Sequence, residues 1–236
     1  MIPKNIFQTH KSPEYLQKTP ELFKAAFTWY KHKDFNYKFY SDTDCDEFML
    51  THYPDIYPLY KKLPLAVMKA DLWRYCIIYK YGGIYADVDT ILKTDPNMFI
   101  MDKDLVIVSE NQYNFCQWVF AAPPGSPIIK TLISLIVSRL NANIKEGSDF
   151  VLKTTGPIIF TEAINQYVSK YPGAMHETHR NLTNNIHLFD HKTFHSQHVI
   201  HLFYGCKRDG WMKERNQIIK RERGGGGWGF SLNMYS

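Results

Sequence analysis

Lys69-Ala70-Asp71-Leu72-Trp73-Arg74-Tyr75-Cys76-Ile77-Ile78-Tyr79-Lys80-Tyr81-Gly82-Gly83-Ile84-Tyr85-Ala86-Asp87-Val88-Asp89-Thr90 reads as a helix turned into a strand by a glycine pair. From Leu65 to Tyr79 the apolar residues leave no polar stripe, the pattern of a helix buried on every side. Asp71 and Arg74 interrupt it, and at a spacing of three they can meet on one face. An ionised group in such surroundings needs a partner. A mutual structural ion pair is the default for an isolated Asp-x-x-Arg. Here the helix delivers the chain to a second acidic element, which favours binding of a polar ligand by the pair. The strand is expected to run to Asp87-Val88-Asp89, placing both carboxylates on one face with Val88 behind them. Two adjacent carboxylates repel unless a cation lies between them. Oxygen ligands favour a hard ion, Mn²⁺ or Mg²⁺, whose open positions can hold a diphosphate.

The composite from Ala70 to Asp89 resembles the glycosyltransferase sugar-binding region containing the DXD motif. That family includes initiating α-1,6-mannosyltransferases of the yeast type, α-1,4-galactosyltransferases and bacterial capsular polysaccharide transferases. Clostridial glucosylating toxins share the core pattern. Ile2-Pro3-Lys4-Asn5-Ile6-Phe7-Gln8-Thr9 is similar to the family's opening strand, with Phe7 where His is usual. Ala122-Pro123-Pro124-Gly125-Ser126-Pro127 and Thr155-Gly156-Pro157 resemble later family segments, and the likeness covers residues 2–211.

The resemblance implies an α/β fold of the GT-A type, a Rossmann-like mixed sheet flanked by helices. It implies one catalytic domain over 1–236, with a nucleotide-sugar half at 1–110, an acceptor half at 111–211 and a tail or lid at 212–236. The implied activity is metal-dependent, retaining transfer of a hexose from a UDP- or GDP-sugar to a glycan or other hydroxyl acceptor. Asp89 would bind the Mn²⁺ or Mg²⁺ directly, Asp87 would reach the metal or the donor ribose, and His201 would be the third protein ligand. Asp71 and Arg74 would hold the sugar hydroxyls. Ile6, Phe7 and Gln8 would lie near the base, with Tyr85 and Gly156 also at the donor. Glu110 and Asn111 follow an apolar strand, at the edge where α/β sheets place ligand contacts, and are weaker candidates for the metal side or the acceptor.

With 236 residues and 44% hydrophobic content, the chain can bury a substantial core. No run is long enough to cross a bilayer, and Lys4, Gln8, His10 and Lys11 interrupt any apolar signal core. Cys45, Cys76, Cys116 and Cys206 lack metal spacing and read as free thiols in a reducing compartment, so a cytoplasmic location is expected. Asn181-Leu182-Thr183 is a glycosylation sequon that has meaning only in a secretory lumen. The modest net charge of +5 suits nucleotide diphosphates, nucleic acid or an anionic membrane alike, and nothing resembles a known nucleic-acid-binding motif.

The chain alternates strands and helices. Strands are expected at Ile6–Phe7, Tyr37–Tyr40, Leu105–Val108, Val119–Ala121, Ile186–Leu188 and Val199–His201. Helices are expected at Glu14–Lys31, from a cap at Asp42 to Tyr53, at Ile128–Asn143 and from Pro157 to Tyr167. His195, His198 and His201 recur every third residue; a zinc site is one reading, although the paired Cys/His spacing is missing. Gly224–Gly227 reads either as the hinge of a lid, with Trp211 or Trp228 reaching the phosphates, or as a frayed end. A nucleotidyltransferase and a non-catalytic carbohydrate- or nucleotide-sugar-binding module are the two competing readings of the acidic pair.

Overall fold

The computed structural model describes residues 1–111, 113–142, 149–170, 185–207 and 211–222. Two compact units result, Met1–Leu202 and Phe203–Ser236. In the first, the elements run β1 (Asn5–Thr9), α1 (Pro13–Gln17), α2 (Pro20–Tyr30), β2 (Asn36–Tyr40), α3 (Asp42–His52), α4 (Tyr57–Lys61), α5 (Ala66–Tyr81), β3 (Gly83–Ala86) and β4 (Thr90–Leu92). A short 3-10 turn at Pro96–Phe99 precedes β5 (Leu105–Val108), β6 (Val119–Ala122), α6 (Pro127–Asn141), α7 (Phe150–Thr154), α8 (Pro157–Lys170), β7 (Ile186–Phe189), α9 (His191–Gln197) and β8 (Val199–His201). The second unit holds α10 (Tyr204–Lys207) and α11 (Trp211–Glu222).

Six strands form one mixed sheet in the order β2-β1-β3-β6-β5-β7. β1 is parallel to β2 and β3, β5 is parallel to β7, and β6 is antiparallel to both β3 and β5. β6 therefore runs against the other five. The carboxyl ends of β1, β3 and β5 and the amino end of β6 meet at one edge, where α/β sheets bind ligands. The sheet takes strands from both sides of residue 110, so it spans the expected donor and acceptor halves. A separate antiparallel pair, β4 with β8, sets Thr90 opposite His201.

The long apolar helix forms where expected. Met68, Leu72, Trp73, Tyr75, Cys76, Ile77 and Ile78 of α5 are all buried. Its end is forced by Gly82, at φ 63°, and the next residue enters β3 at φ 123°. A Cβ on Gly83 would lie 2.6 Å from the Asn5 carbonyl oxygen, because β3 runs tight against β1 there. Both the dihedral and the approach demand glycine.

Four local expectations are corrected. The helix expected over Glu14–Lys31 breaks into α1 and α2, because Pro20 opens α2 and holds Thr19 out of helical geometry at φ −122° and ψ 84°. Ser41, not Asp42, caps α3: its hydroxyl accepts from the Asp44 N–H, and the Asp44 carboxylate accepts from the Ser41 N–H at 2.8 Å. β3 stops at Ala86, and Asp87 to Thr90 make a turn in which the Thr90 N–H donates to the Asp87 carbonyl at 3.1 Å. α7 and β4 were not foreseen; a single helical turn and a three-residue strand carry too little periodicity to register. Cys45, Cys76 and Cys116 are free and buried, as their scatter suggested.

Gly83→Ala is expected to lower unfolding stability by about 3 kcal/mol, through combined backbone strain and overpacking. Urea titration checks this, as a fall in midpoint at constant m-value.

Candidate metal and donor site

Arg74 lies at the centre of the site. One of its terminal nitrogens (Nη2) is 3.0 Å from Asp71 Oδ1, and the other (Nη1) is 3.3 Å from Asp87 Oδ1. Nη1 also donates to the Gln117 carbonyl at 3.0 Å, and the guanidinium lies 4.5 Å from the centre of the Tyr85 ring. The planar fork of arginine suits such a junction. Asp71 is 1% exposed and Arg74 4%. Thr155 Oγ1 donates to Asp71 Oδ2 at 2.9 Å, and the Gln117 amide donates to Oδ1 at 3.1 Å. Burial pushes the Asp71 carboxyl up to about 7, against the opposing pull of Arg74, Thr155 and Gln117. Thus the ion pair that an isolated Asp-x-x-Arg predicts does form, and Arg74 extends it to the acidic turn.

That turn is locked from three sides. The Asp87 N–H donates to the Trp118 carbonyl at 2.7 Å, ahead of β6. The Gln8 amide at the end of β1 donates to the Asp87 carbonyl at 3.2 Å, and Gln8 in turn accepts from Tyr37. The Tyr85 hydroxyl donates to Asp87 Oδ1. Burial raises the Asp87 carboxyl, with Arg74 lowering it and Asp89 raising it further.

His201 reaches this turn through the β4–β8 register. The Leu202 N–H donates to the Asp89 carbonyl at 2.9 Å, and His201 Nε2 lies 3.3 Å from Asp89 Oδ1. Its ring stacks on Trp118, with centroids 4.8 Å apart. One ligand atom from each of Asp87, Asp89 and His201 falls within 4.8 Å of the others, and these are the residues so grouped among those described. Asp71 and Asp87 share the one Arg74 guanidinium, while Asp89 lies against His201. Two carboxylate oxygens and an imidazole nitrogen suit a divalent ion of the Mn²⁺ kind. A turn, not the expected strand, brings the carboxylates together.

The other candidates are placed as follows. Ile6 and Phe7 are enclosed in the core, Phe7 between Tyr40 and Tyr81, so their side chains serve packing. Gly156 sits at the α7–α8 junction, where a Cβ would lie 2.8 Å from Leu152 Cα; its neighbour Thr155 makes the hydrogen bond to Asp71. Glu110 is half-buried, its carboxyl raised by burial and lowered by the charge of His201. Asn111 is exposed, and its side-chain oxygen accepts from the Tyr113 and Asn114 N–H groups, shaping the loop. Trp211 opens α11 in the second unit, beneath the Arg215 guanidinium. Trp228, Gly224–Gly227 and the sequon lie outside the described residues. The histidine triplet is dispersed: His195 accepts from the His201 N–H, and His198 lies 3.4 Å from Thr94.

Four contributors escaped the sequence reading: His10, Gln117, Trp118 and Thr155. His10 follows β1 at the ligand edge, stacks on Tyr15 and feels the charge of Asp89. Burial and Lys11 lower it from 6.5 to about 4. Gln117 and Trp118 precede β6, and only the reversal of that strand brings its beginning to the ligand edge.

Residues 11–106 match the family described as glycosyltransferase sugar-binding region containing DXD motif. It is 27% identical over 207 residues to the initiation-specific alpha-1,6-mannosyltransferase of Candida albicans, covering 71% of this chain and 54% of that one. To the Schizosaccharomyces pombe protein of the same name it is 29% identical over 198 residues, covering 71% and 49%. The chain thus spans about half the length of these curated relatives. Among solved structures it is similar to the PaToxG glycosyltransferase, at 21% identity and a TM-score of 0.51, covering 73% of this chain and 72% of that one. The fold is of the GT-A type.

Asp71→Ala leaves Arg74 with one carboxylate partner instead of two, and is expected to cost about 3 kcal/mol of unfolding free energy, read from the denaturant midpoint. His10 supplies a pH test. Its folded pKa lies below the unfolded value, so between pH 6.5 and about 4 the unfolded chain takes up a proton that the folded chain refuses. Acidification through this window therefore destabilises the protein. At about 1.4 kcal/mol per pKa unit, the full loss approaches about 3 kcal/mol. His10→Asn should show a smaller fall in Tm between pH 7 and pH 4.5 than the parent protein.

Proposed function

We propose that the protein is a metal-dependent, retaining glycosyltransferase that moves a hexose from a nucleotide-diphosphate sugar to a glycan or other hydroxyl acceptor. The observation that carries this reading is the convergence of Asp87, Asp89 and His201 beside the buried Asp71–Arg74 pair. Asp87, Asp89 and His201 hold the ion. A Mn²⁺ or Mg²⁺ bound there supplies charge compensation for the donor diphosphate as the glycosidic bond breaks.

The protein's own groups do the positioning. Asp71, enclosed and engaged at both oxygens, holds Arg74, and Arg74 in turn orients Asp87 beside the donor. Both carboxylate oxygens of Asp71 are already engaged, by Gln117, Arg74 and Thr155, which makes it a poor nucleophile and suits a mechanism without a covalent enzyme intermediate. Retention of configuration rests on the family likeness. The end of β1, Gln8 with His10, borders the nucleotide. Mannose is the first sugar to test, because both fungal relatives are named mannosyltransferases.

The test is a panel of UDP- and GDP-sugars with Mn²⁺, following release of nucleoside diphosphate. One donor should turn over, and chelation should stop it. Asp89→Ala should lower the rate by roughly 100-fold or more. Release of pyrophosphate instead would identify a nucleotidyltransferase. Metal-dependent donor binding without turnover, across a broad acceptor panel, would identify a binding module.

A further inference from the structure

The connection between β5 and β6 has two faces. Towards the metal side it offers Glu110, which feels the charge of His201, and Gln117, which holds Asp71. On its other side Asn114 lines an open groove of about 660 Å³ against α8.

The wall opposite Asn114 is one stripe of α8. Ile158, Thr161, Glu162, Asn165, Gln166 and Ser169 recur at the three- and four-residue steps of a single helix face. The opposite face, with Ile159, Phe160, Ala163 and Ile164, is buried in the core. The polar stripe is pre-arranged. Arg139 pairs with Glu162, the Gln166 amide donates to the same carboxylate at 3.4 Å, and Thr161 Oγ1 accepts from the Phe115 N–H at 3.0 Å. That last bond ties the loop to the helix.

Beside Asn114 stands Tyr113, 75% exposed, the most exposed large aromatic residue among those described. Asn111 orders its backbone by accepting from its N–H at 2.8 Å, and the Glu110 N–H closes the turn on the Asn114 carbonyl at 2.8 Å. An aromatic ring shown to solvent on a tied loop, beside amides that both donate and accept, is a surface for a neutral polyhydroxyl ligand. The ring face, negative in its quadrupole, meets the C–H face of a sugar, while Asn114, Asn165 and Gln166 meet its hydroxyls. The groove's acid, Glu162, is neutralised by Arg139, so the lining favours neither a phosphate nor a cation.

We infer that the groove between Asn114 and the polar face of α8, with the exposed Tyr113 next to Asn114 in the same loop, is a glycan-binding subsite that grips sugar units of the acceptor away from the one being modified. This rests on the glycosyltransferase reading above. The loop that builds the groove also contacts the donor residues, so a glycan held there lies next to the same connection that orders Asp71.

The full chain, without donor or metal, is applied to an immobilised oligosaccharide array together with Tyr113→Ala, Asn165→Ala, Tyr113→Phe and, as a control on another surface, Phe27→Ala. The parent protein should be retained by at least one oligosaccharide of two or more units. Tyr113→Ala and Asn165→Ala should each weaken retention by roughly tenfold or more, a loss of about 1.4 kcal/mol. Tyr113→Phe, which keeps the ring, and Phe27→Ala should bind like the parent. Retention of no glycan, or alanine variants that bind as tightly as the parent, would overturn the subsite. Because the array needs neither donor nor metal, its failure is separable from failure of the donor-turnover test.

Discussion

The guanidinium of Arg74 is the interaction on which the rest of the site depends. It joins a carboxylate on α5 to one in the turn after β3, lies over the Tyr85 ring and takes the carbonyl of Gln117. A charge so far from water is costly unless fully paired. Asp71 and Asp87 supply that pairing, and each is also held by hydroxyl or amide donors. The consequence is a fixed relation between helix, turn and the start of β6. Asp87 is thereby oriented beside Asp89 and His201.

Sheet topology supplies the remaining parts. The parallel strands β1, β3 and β5 end at one edge and present His10, Asp87 and Glu110 there. The reversed β6 begins at that edge and contributes Gln117 and Trp118. His201 arrives from far along the chain on β8, whose pairing with β4 sets it opposite Thr90. Asp87 and Asp89 gain their common direction from a four-residue turn stabilised by Thr90, by Gln8 and by the carbonyl of Trp118.

The β5–β6 connection unites the two proposed binding events. Its end at Gln117 donates to Asp71, while its tip sets Asn114 against α8 and leaves Tyr113 exposed. The bridge from Ser109 to Phe115 and the bond from Phe115 to Thr161 tie the ends of the loop to the core. Order of this kind reduces the entropy lost on binding.

Periodicity and composition were enough for the elements whose information is local. The all-round apolar face of α5, the glycine pair that ends it and the apolar runs of β5 and β6 are read from neighbouring residues, and the acidic pair with its preceding Asp71 and Arg74 was legible as chemistry. Pro20 and Ser41 were also visible in the chain, yet their effects were misjudged because caps and breaks depend on single residues. Tertiary structure alone decided which way β6 runs, that Asp87–Asp89 is a turn, that Ile6 and Phe7 are core, and that Gln117 and Thr155 grip Asp71. Those outcomes rest on contacts between segments distant in sequence. Helical and strand periods record which face of an element is buried, but not which other element buries it.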